Sequence, residues 1–250
     1  MDDLSKQLND CNTGCVIGDK CINHLMYADD LVVFSPSSAG FQQLLAVCSD
    51  YGAGNDIQYN SKKSVVLICR TKEDKSLKFP DFKLAGNNLE VSDKVKYLGH
   101  FITDDMKDDD DIYRQCCKIY AQANILARKF SMCSDAVKIS LFKAYCTPLY
   151  TAHLWVNYKK GSMKRIQVAY NDAMRILLKR PRWCSANDIF VSTRVNTLQA
   201  VVRNLMYKCI CRINASVNGI IMGLSNIRLS TVRYQSEIWR HWHICLFLAK

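Results

Sequence analysis

The chain has 250 residues, 49% of them hydrophobic and 10% aromatic, enough apolar material for a real core, which excludes wholesale disorder. Its formal charge of +11 is unevenly placed: residues 1–111 carry 12 Lys and Arg against 19 Asp and Glu, net −7, whereas residues 112–250 carry 22 against 4, net +18. A half that basic points to polyanionic partners, because clustered cations gain from neutralising phosphates. Thirteen cysteines without framework spacing argue against a disulfide scaffold. The polar start of the chain has no signal-peptide region, and no apolar stretch approaches the ~20 residues of a membrane helix. Free thiols in an intracellular protein, nuclear or cytoplasmic, with no membrane partner, are the expectation.

Leu4 and Leu8, four apart, mark the end of a helix in residues 1–10. Gly14 and Gly18 flank a short strand at Val16-Ile17. Two apolar runs, His24 to Tyr27 and Leu31 to Phe34, surround Ala28-Asp29-Asp30 and predict a β-hairpin. Ser37 or Ser38 caps a helix with Phe41, Leu44, Leu45 and Cys48 on one face, ending near Gly52 and Gly54. Val65 to Cys69 reads as a buried strand. Phe82 to Ala85 and Leu89 to Val91 flank a turn at Gly86-Asn87-Asn88, and Tyr97 to Ile102 reads as a further strand. The pattern then turns helical. Ile112, Cys116, Ile119, Ala123, Leu126 and Phe130 line one face of a long helix. Val137, Leu141 and Tyr145 mark a second, interrupted near Pro148; Ile166, Tyr170, Ala173 and Leu177 a third, stopped by Pro181; Leu198, Val202, Leu205 and Cys209 a fourth. The fold class is therefore α+β followed by an all-helical region, in three parts: 1–103, 104–215 and a C-terminal helical extension at 216–250.

The strongest chemical signal is His24 to Ser35, HLMYADDLVVFS, where two adjacent carboxylates crown a hairpin whose apolar flanks are to be buried. Hard cations such as Mg²⁺ take such oxygen ligands. Tyr27-Ala28-Asp29-Asp30 between apolar strands resembles the catalytic hairpin of reverse transcriptases, and the likeness to those of non-long-terminal-repeat (LINE-type) retrotransposons extends along the chain. Residues 1–10 resemble the helix before that hairpin, Tyr59 to Ser64 the following lysine motif, and Lys96 to His100 the primer-grip strand. The resemblance implies an incomplete polymerase palm followed by a helical thumb. It implies two-metal nucleotidyl transfer with two Mg²⁺ ions, an RNA template and a DNA primer. Asp29 and Asp30 would ligate metal, and Tyr27 and Ala28 would line the primer end. A lysine, Lys62 or Lys63 with Lys63 preferred, would assist the leaving pyrophosphate. Tyr97, Leu98 and Gly99 would position the primer. Lys164, Arg165, Arg175, Lys179, Arg180 and Arg182 would follow the template–primer backbone.

One departure sets the functional expectation. The family uses a further aspartate on a strand upstream of the hairpin, and basic fingers for the triphosphate; here Asp2, Asp3, Asp10 and Asp19 are the earlier acids. The chain is therefore expected to be a C-terminal fragment, inactive by itself, needing a complementing palm and fingers polypeptide. The alternative is a non-catalytic, basic nucleic-acid-binding protein of retrotransposon descent. Two cysteine–histidine groupings, Cys11, Cys15, Cys21 and His24, and His241, His243 and Cys245, lack zinc-knuckle spacing and read as ordinary residues. The acidic run Asp104 to Asp111 lacks the glycine and glutamate of a calcium loop and reads as the start of a helix. Trp155, Tyr158, Tyr170 and Trp183 read as core aromatics.

Overall fold

A computed structural model describes residues 2–17, 20–69 and 78–226. The expected C-terminal histidines, His241 and His243, with Cys245, lie outside the described residues, as do Asp19 and most of the expected extension at 216–250. The described residues form two compact units, 2–95 with 216–226, and 96–215.

In the first unit, helix α1 (Asp2–Asp10) buries Leu4 and Leu8 completely and packs on α2 (Ser38–Gly54). Ser37 caps α2, its hydroxyl accepting from the Gly40 amide at 3.2 Å. Small strands surround this helix pair. Strand β1 (Cys15–Ile17) pairs antiparallel with β2 (Lys20–Ile22), and β3 (His24–Tyr27) with β4 (Asp30–Val33). The core comprises Leu4, Leu8, Leu44, Leu45, Cys48, Val66, Phe82, Leu84 and Leu89.

Three expectations for this unit need correcting. Strand β5 (Val65–Leu67) is shorter than Val65 to Cys69, and Val66 is its buried residue while Val65 is 36% exposed. The second hairpin turns at Ala85-Gly86, both with positive φ (47° and 79°), so Asn87-Asn88 belong to strand β7 (Asn87–Asn88) opposite β6 (Lys83–Leu84). Positive φ at both central residues defines a type I′ turn, whose twist suits a two-residue connection. The following strand, β8 (Glu90–Ser92), runs parallel to β5 instead of returning along β6. The described strands form five two-stranded sheets, and α8 (Gly219–Asn226) lies against β1.

The stretch expected as one strand at Tyr97–Ile102 is a hairpin, β9 (Lys94–Tyr97) and β10 (His100–Thr103). It reverses at Leu98-Gly99, again with both φ values positive (44° and 81°). Beyond it the chain is helical: α3 (Asp109–Lys129), α4 (Asp135–Tyr145), a 3-10 turn (Ala152–Leu154), α5 (Lys160–Leu177), α6 (Ala186–Thr193) and α7 (Leu198–Asn214). The mixed α+β first third and the helical remainder agree with the expected fold class. Helices α3 and α5 bury the predicted faces: Ile112, Cys116, Ile119, Ala123 and Leu126 against Ile166, Tyr170, Ala173 and Leu177. Helix α4 does not. Val137 and Tyr145 are 45% and 53% exposed, and the buried line is Lys138, Phe142 and Cys146. Phe142 takes that position because its ring meets Tyr170 edge-on at 5.1 Å. In α7 the buried line is Leu198, Val202, Met206 and Ile210, with Leu205 and Cys209 at its margin. Helix α6, capped by Ser185 through the Asp188 amide, was not expected from the sequence.

Candidate metal and nucleic-acid site

The hairpin β3–β4 is anchored at its base and open at its tip. Asn23 is 2% exposed; its Nδ2 donates to the Leu8 carbonyl at 2.6 Å, and its own carbonyl accepts from the Phe34 amide at 2.8 Å. With Nδ2 committed as donor, Asn23 Oδ1 accepts from His24 Nδ1 at 2.7 Å, which leaves His24 Nε2 to accept from the Ser5 hydroxyl at 2.8 Å. Burial lowers the His24 pKa, which favours that neutral imidazole over the charged ring. Nε2 thus ties β3 to α1 directly through Ser5, and Nδ1 braces Asn23, whose Nδ2 reaches α1 at Leu8.

Alternation sorts the remaining side chains. The pairs His24↔Val33 and Met26↔Leu31 share one face, and Met26, Leu31 and Val33 pack on the core of the unit. Leu25↔Val32 and Tyr27↔Asp30 occupy the other, where Leu25 is 43% and Tyr27 63% exposed. The flanks are therefore buried on one side only, which corrects the expectation of fully buried strands. One buried face still fixes the register, because a one-residue slip would turn Met26 and Leu31 to solvent.

Ala28 and Asp29 form the two-residue turn, and Ala28 holds φ at +54°. A left-handed alanine costs roughly 1–2 kcal/mol, strain of the kind that collects at working sites. Asp29 and Asp30 are both exposed, and among the described residues neither carboxylate accepts a hydrogen bond or joins an ion pair. Two adjacent, uncommitted carboxylates on a braced turn fit a hard divalent cation. Among the described residues no group of three or more His, Cys, Asp or Glu side chains could hold a metal ion, so the hairpin offers two protein ligands.

Lys62 and Lys63 stand exposed on a turn between α2 and β5. Asn60 shapes that turn: its carbonyl accepts from the Lys63 and Ser64 amides at 3.0 and 2.9 Å, and its Oδ1 from the Lys63 amide at 3.2 Å. Tyr59 seats the turn by packing on Gly52, where any Cβ would come within 2.8 Å of its ring. Among the described residues no ion pair joins either lysine to Asp29 or Asp30.

In the second unit, the hairpin β9–β10 presents Leu98, 44% exposed, at its tip and is fastened to α3 at its base. The fastener is the acidic run. Asp111 is fully buried. Its Oδ2 accepts from Trp155 Nε1 at 2.8 Å and from the Thr151 hydroxyl at 3.0 Å; its Oδ1 accepts from Arg114 Nε at 2.8 Å and the Phe101 amide at 3.2 Å. His100 Nδ1 lies 3.1 Å from Oδ2, within ion-pair reach but off the hydrogen-bond axis. Burial alone would raise the Asp111 pKa, but His100, Trp155 and Arg114 outweigh it and hold the carboxyl well below its ordinary value. Asp108 Oδ2 accepts from the Val156 and Asn157 amides, both at 2.7 Å, and Asp109 Oδ1 from the Lys159 amide at 3.0 Å. The run does begin a helix, as expected, yet three of its carboxylates reach across to fix the segment that leads into α5.

The cations expected to meet nucleic acid divide into two kinds. Arg175 is structural: its Nη1 donates to Asp172 at 2.9 Å and its Nε to the Cys184 carbonyl at 3.1 Å. Lys164 and Arg165 on α5, and Lys179, Arg180 and Arg182 after it, are exposed. Arg180 and Arg182 make looser pairs with Asp135 and Asp172, at 3.8 and 3.6 Å. Trp155 and Tyr170 are buried and Tyr158 packs on the core, as expected, but Trp183 is 87% exposed. Its position in a turn, not a helix, overrides the core reading.

Residues 1–102, the α+β part of the chain, match the family described as reverse transcriptase (RNA-dependent DNA polymerase). The match ends inside β10; residues 103–250 lie outside it. No curated protein matches the chain. Among the described residues no helix is long and apolar enough to cross a membrane, and no disulfide joins two cysteines.

Proposed function

We propose that this chain belongs to the replication machinery of a non-long-terminal-repeat retrotransposon and contributes the metal-binding hairpin, primer grip and thumb of an RNA-directed DNA polymerase. The observation that carries the reading is the pair Asp29 and Asp30, exposed and uncommitted on an anchored hairpin within the reverse-transcriptase match. These two carboxylates would hold Mg²⁺, which supplies activation of the attacking oxygen and charge neutralisation at the leaving one. Tyr27, on the same face as Asp30, flanks the primer terminus. Lys63, or Lys62 beside it, faces the departing phosphates as a proton donor or counter-charge. Leu98 and Gly99 present backbone to the primer, and Lys164, Arg165, Lys179, Arg180 and Arg182 meet the template–primer backbone. Arg175 leaves that set, because its guanidinium already holds Asp172 and Cys184.

Two protein carboxylates do not complete a two-metal centre, and among the described residues no third ligand joins them, so in this reading a third ligand and the triphosphate-binding groups are supplied from elsewhere. The test is primer extension on an RNA template with Mg²⁺, using the chain alone and with a palm-and-fingers polypeptide added. Incorporation in the complemented reaction, abolished by Asp29→Ala, is the expected result. Binding without incorporation in either reaction, unchanged by Asp29→Ala and Asp30→Ala, overturns it in favour of a non-catalytic nucleic-acid-binding protein. The exposed cations of the helical unit favour that second reading for the chain by itself.

A further inference from the structure

We infer that the turn after α5, Lys179 to Cys184, is a stacking platform for single-stranded nucleic acid, with Trp183 as the ring on which a base sits. The inference rests on the nucleic-acid reading above and goes beyond it by assigning a strand type and a residue.

Large aromatic rings lose their main stabilisation when left in water, so an indole 87% exposed in a well-packed helical unit calls for a physical reason. The turn around it is rigid. The Arg180 amide donates to the Arg175 carbonyl at 2.8 Å, and Lys179 takes a left-handed φ of +53°, which turns the chain out of α5. Pro181 fixes the next φ, and the Cys184 amide closes back on the Pro181 carbonyl at 3.1 Å. Trp183 is the third residue of that four-residue turn. Behind it, Arg175 grips the Cys184 carbonyl, and Ser185 immediately caps α6. Little ordering entropy remains to be lost when a base arrives.

The charges suit the same ligand. Lys179, Arg180 and Arg182 lie within four residues of the ring, all exposed. Between residues 112 and 226 the acids are Asp135, Asp172 and Asp188. Two of them hold Arg180 and Arg182 at long range, 3.8 and 3.6 Å; the Arg180–Asp135 pair is exposed at both ends and the Arg182 guanidinium is exposed, so both arginines can turn to a phosphate. The open groove beside the turn is lined by Asp135 and Asp188 together with Arg180, so its acids keep a phosphate backbone out of it and on the Trp183 side. Interleaved cations and an exposed ring are the means by which proteins hold single strands without sequence preference. A duplex offers its bases already stacked; an unpaired base has a free face.

The test measures binding of a labelled single-stranded RNA of about 12 nucleotides, within the footprint of such sites, and of a blunt duplex, across a salt series. Trp183→Ala is expected to weaken single-strand binding by about 5- to 100-fold, the factor carried by one stacked base. Trp183→Phe is expected to retain most of the affinity, duplex binding to be unchanged, and the melting midpoint of both variants to match wild type. Arg182→Gln is expected to reduce the salt dependence, which Trp183→Ala leaves alone. Equal single-strand affinity for wild type and Trp183→Ala, with binding otherwise intact, overturns the platform and spares the broader reading. Failure of the wild type to bind either nucleic acid at low salt overturns both. Loss of self-association in Trp183→Ala with unaltered RNA affinity overturns the platform in favour of a protein contact.

Discussion

The chain uses the same acidic residue for two opposite ends. At Asp29 and Asp30 the carboxylates are exposed and, among the described residues, hold no side-chain partner. At Asp108, Asp109 and Asp111 the carboxylates are spent on the fold, and Asp111 alone receives five donated hydrogen bonds while fully buried. A buried, saturated carboxylate is a structural bolt: its bonds are unavailable to a ligand and expensive to remove. An exposed, unsaturated pair is cheap for the fold to lose and free to meet a cation. Function is therefore to be sought where acids are left idle, not where they are most numerous.

Mutation separates the two regions most sharply. Asp111→Ala should cost about 3–5 kcal/mol, as loss of one member of a buried charged network does, read by urea denaturation of the full chain. Asp29→Asn with Asp30→Asn should leave the denaturation midpoint where it is. Equal destabilisation at both places would break the comparison. A smaller effect probes the hairpin at 94–103. Gly99 holds φ at +81° with open space where a Cβ would stand, so Gly99→Ala should cost about 1–2 kcal/mol from backbone strain alone. A neutral result would mean that the turn is not the I′ type its two positive φ values define.

Acid should distinguish the regions by window. Burial lowers the His24 pKa, so its neutral form contributes stability that is complete above about pH 6.5, the unfolded value, and falls away as pH drops towards the folded one. The Asp111 pKa is depressed, so its contribution is complete above about pH 3.9 and is lost only as pH falls below that. Hydrogen exchange on the intact chain should show β3 amides losing protection first as pH falls from 6.5, and the start of α3 holding until below about pH 4. The reverse order would contradict both assignments.

Much of this was readable from residues alone. Asp-Asp between alternating apolar runs specifies a hairpin with an acidic tip, and the long helices α3 and α5 follow from spacing because their buried faces are wholly apolar. Helix α4 was misread because its buried face contains Lys138, which no hydropathy pattern places inward; its aliphatic stem lies against the core while its amine stays near Asp135 at 3.8 Å. Helix α6 spans eight residues, too few for periodicity to register, although Ser185 three before Asp188 was a usable capping signal. The bolt at Asp111 was invisible because its partners, Trp155, Thr151 and Phe101, are distant in sequence, and long-range pairing leaves no local mark. Trp183 was misjudged for the opposite reason: composition says core, and only the stop at Pro181 hinted that it stands on a turn.

The central claim, that the idle pair and not the crowded run meets the metal, is tested most directly by titrating the isotope-labelled 250-residue chain with Mn²⁺, a paramagnetic stand-in for Mg²⁺, and following amide signals. Broadening should begin at Ala28, Asp29, Asp30 and Leu31 and disappear in Asp29→Asn with Asp30→Asn. Broadening that starts among residues 104–111 and leaves the hairpin untouched would contradict it.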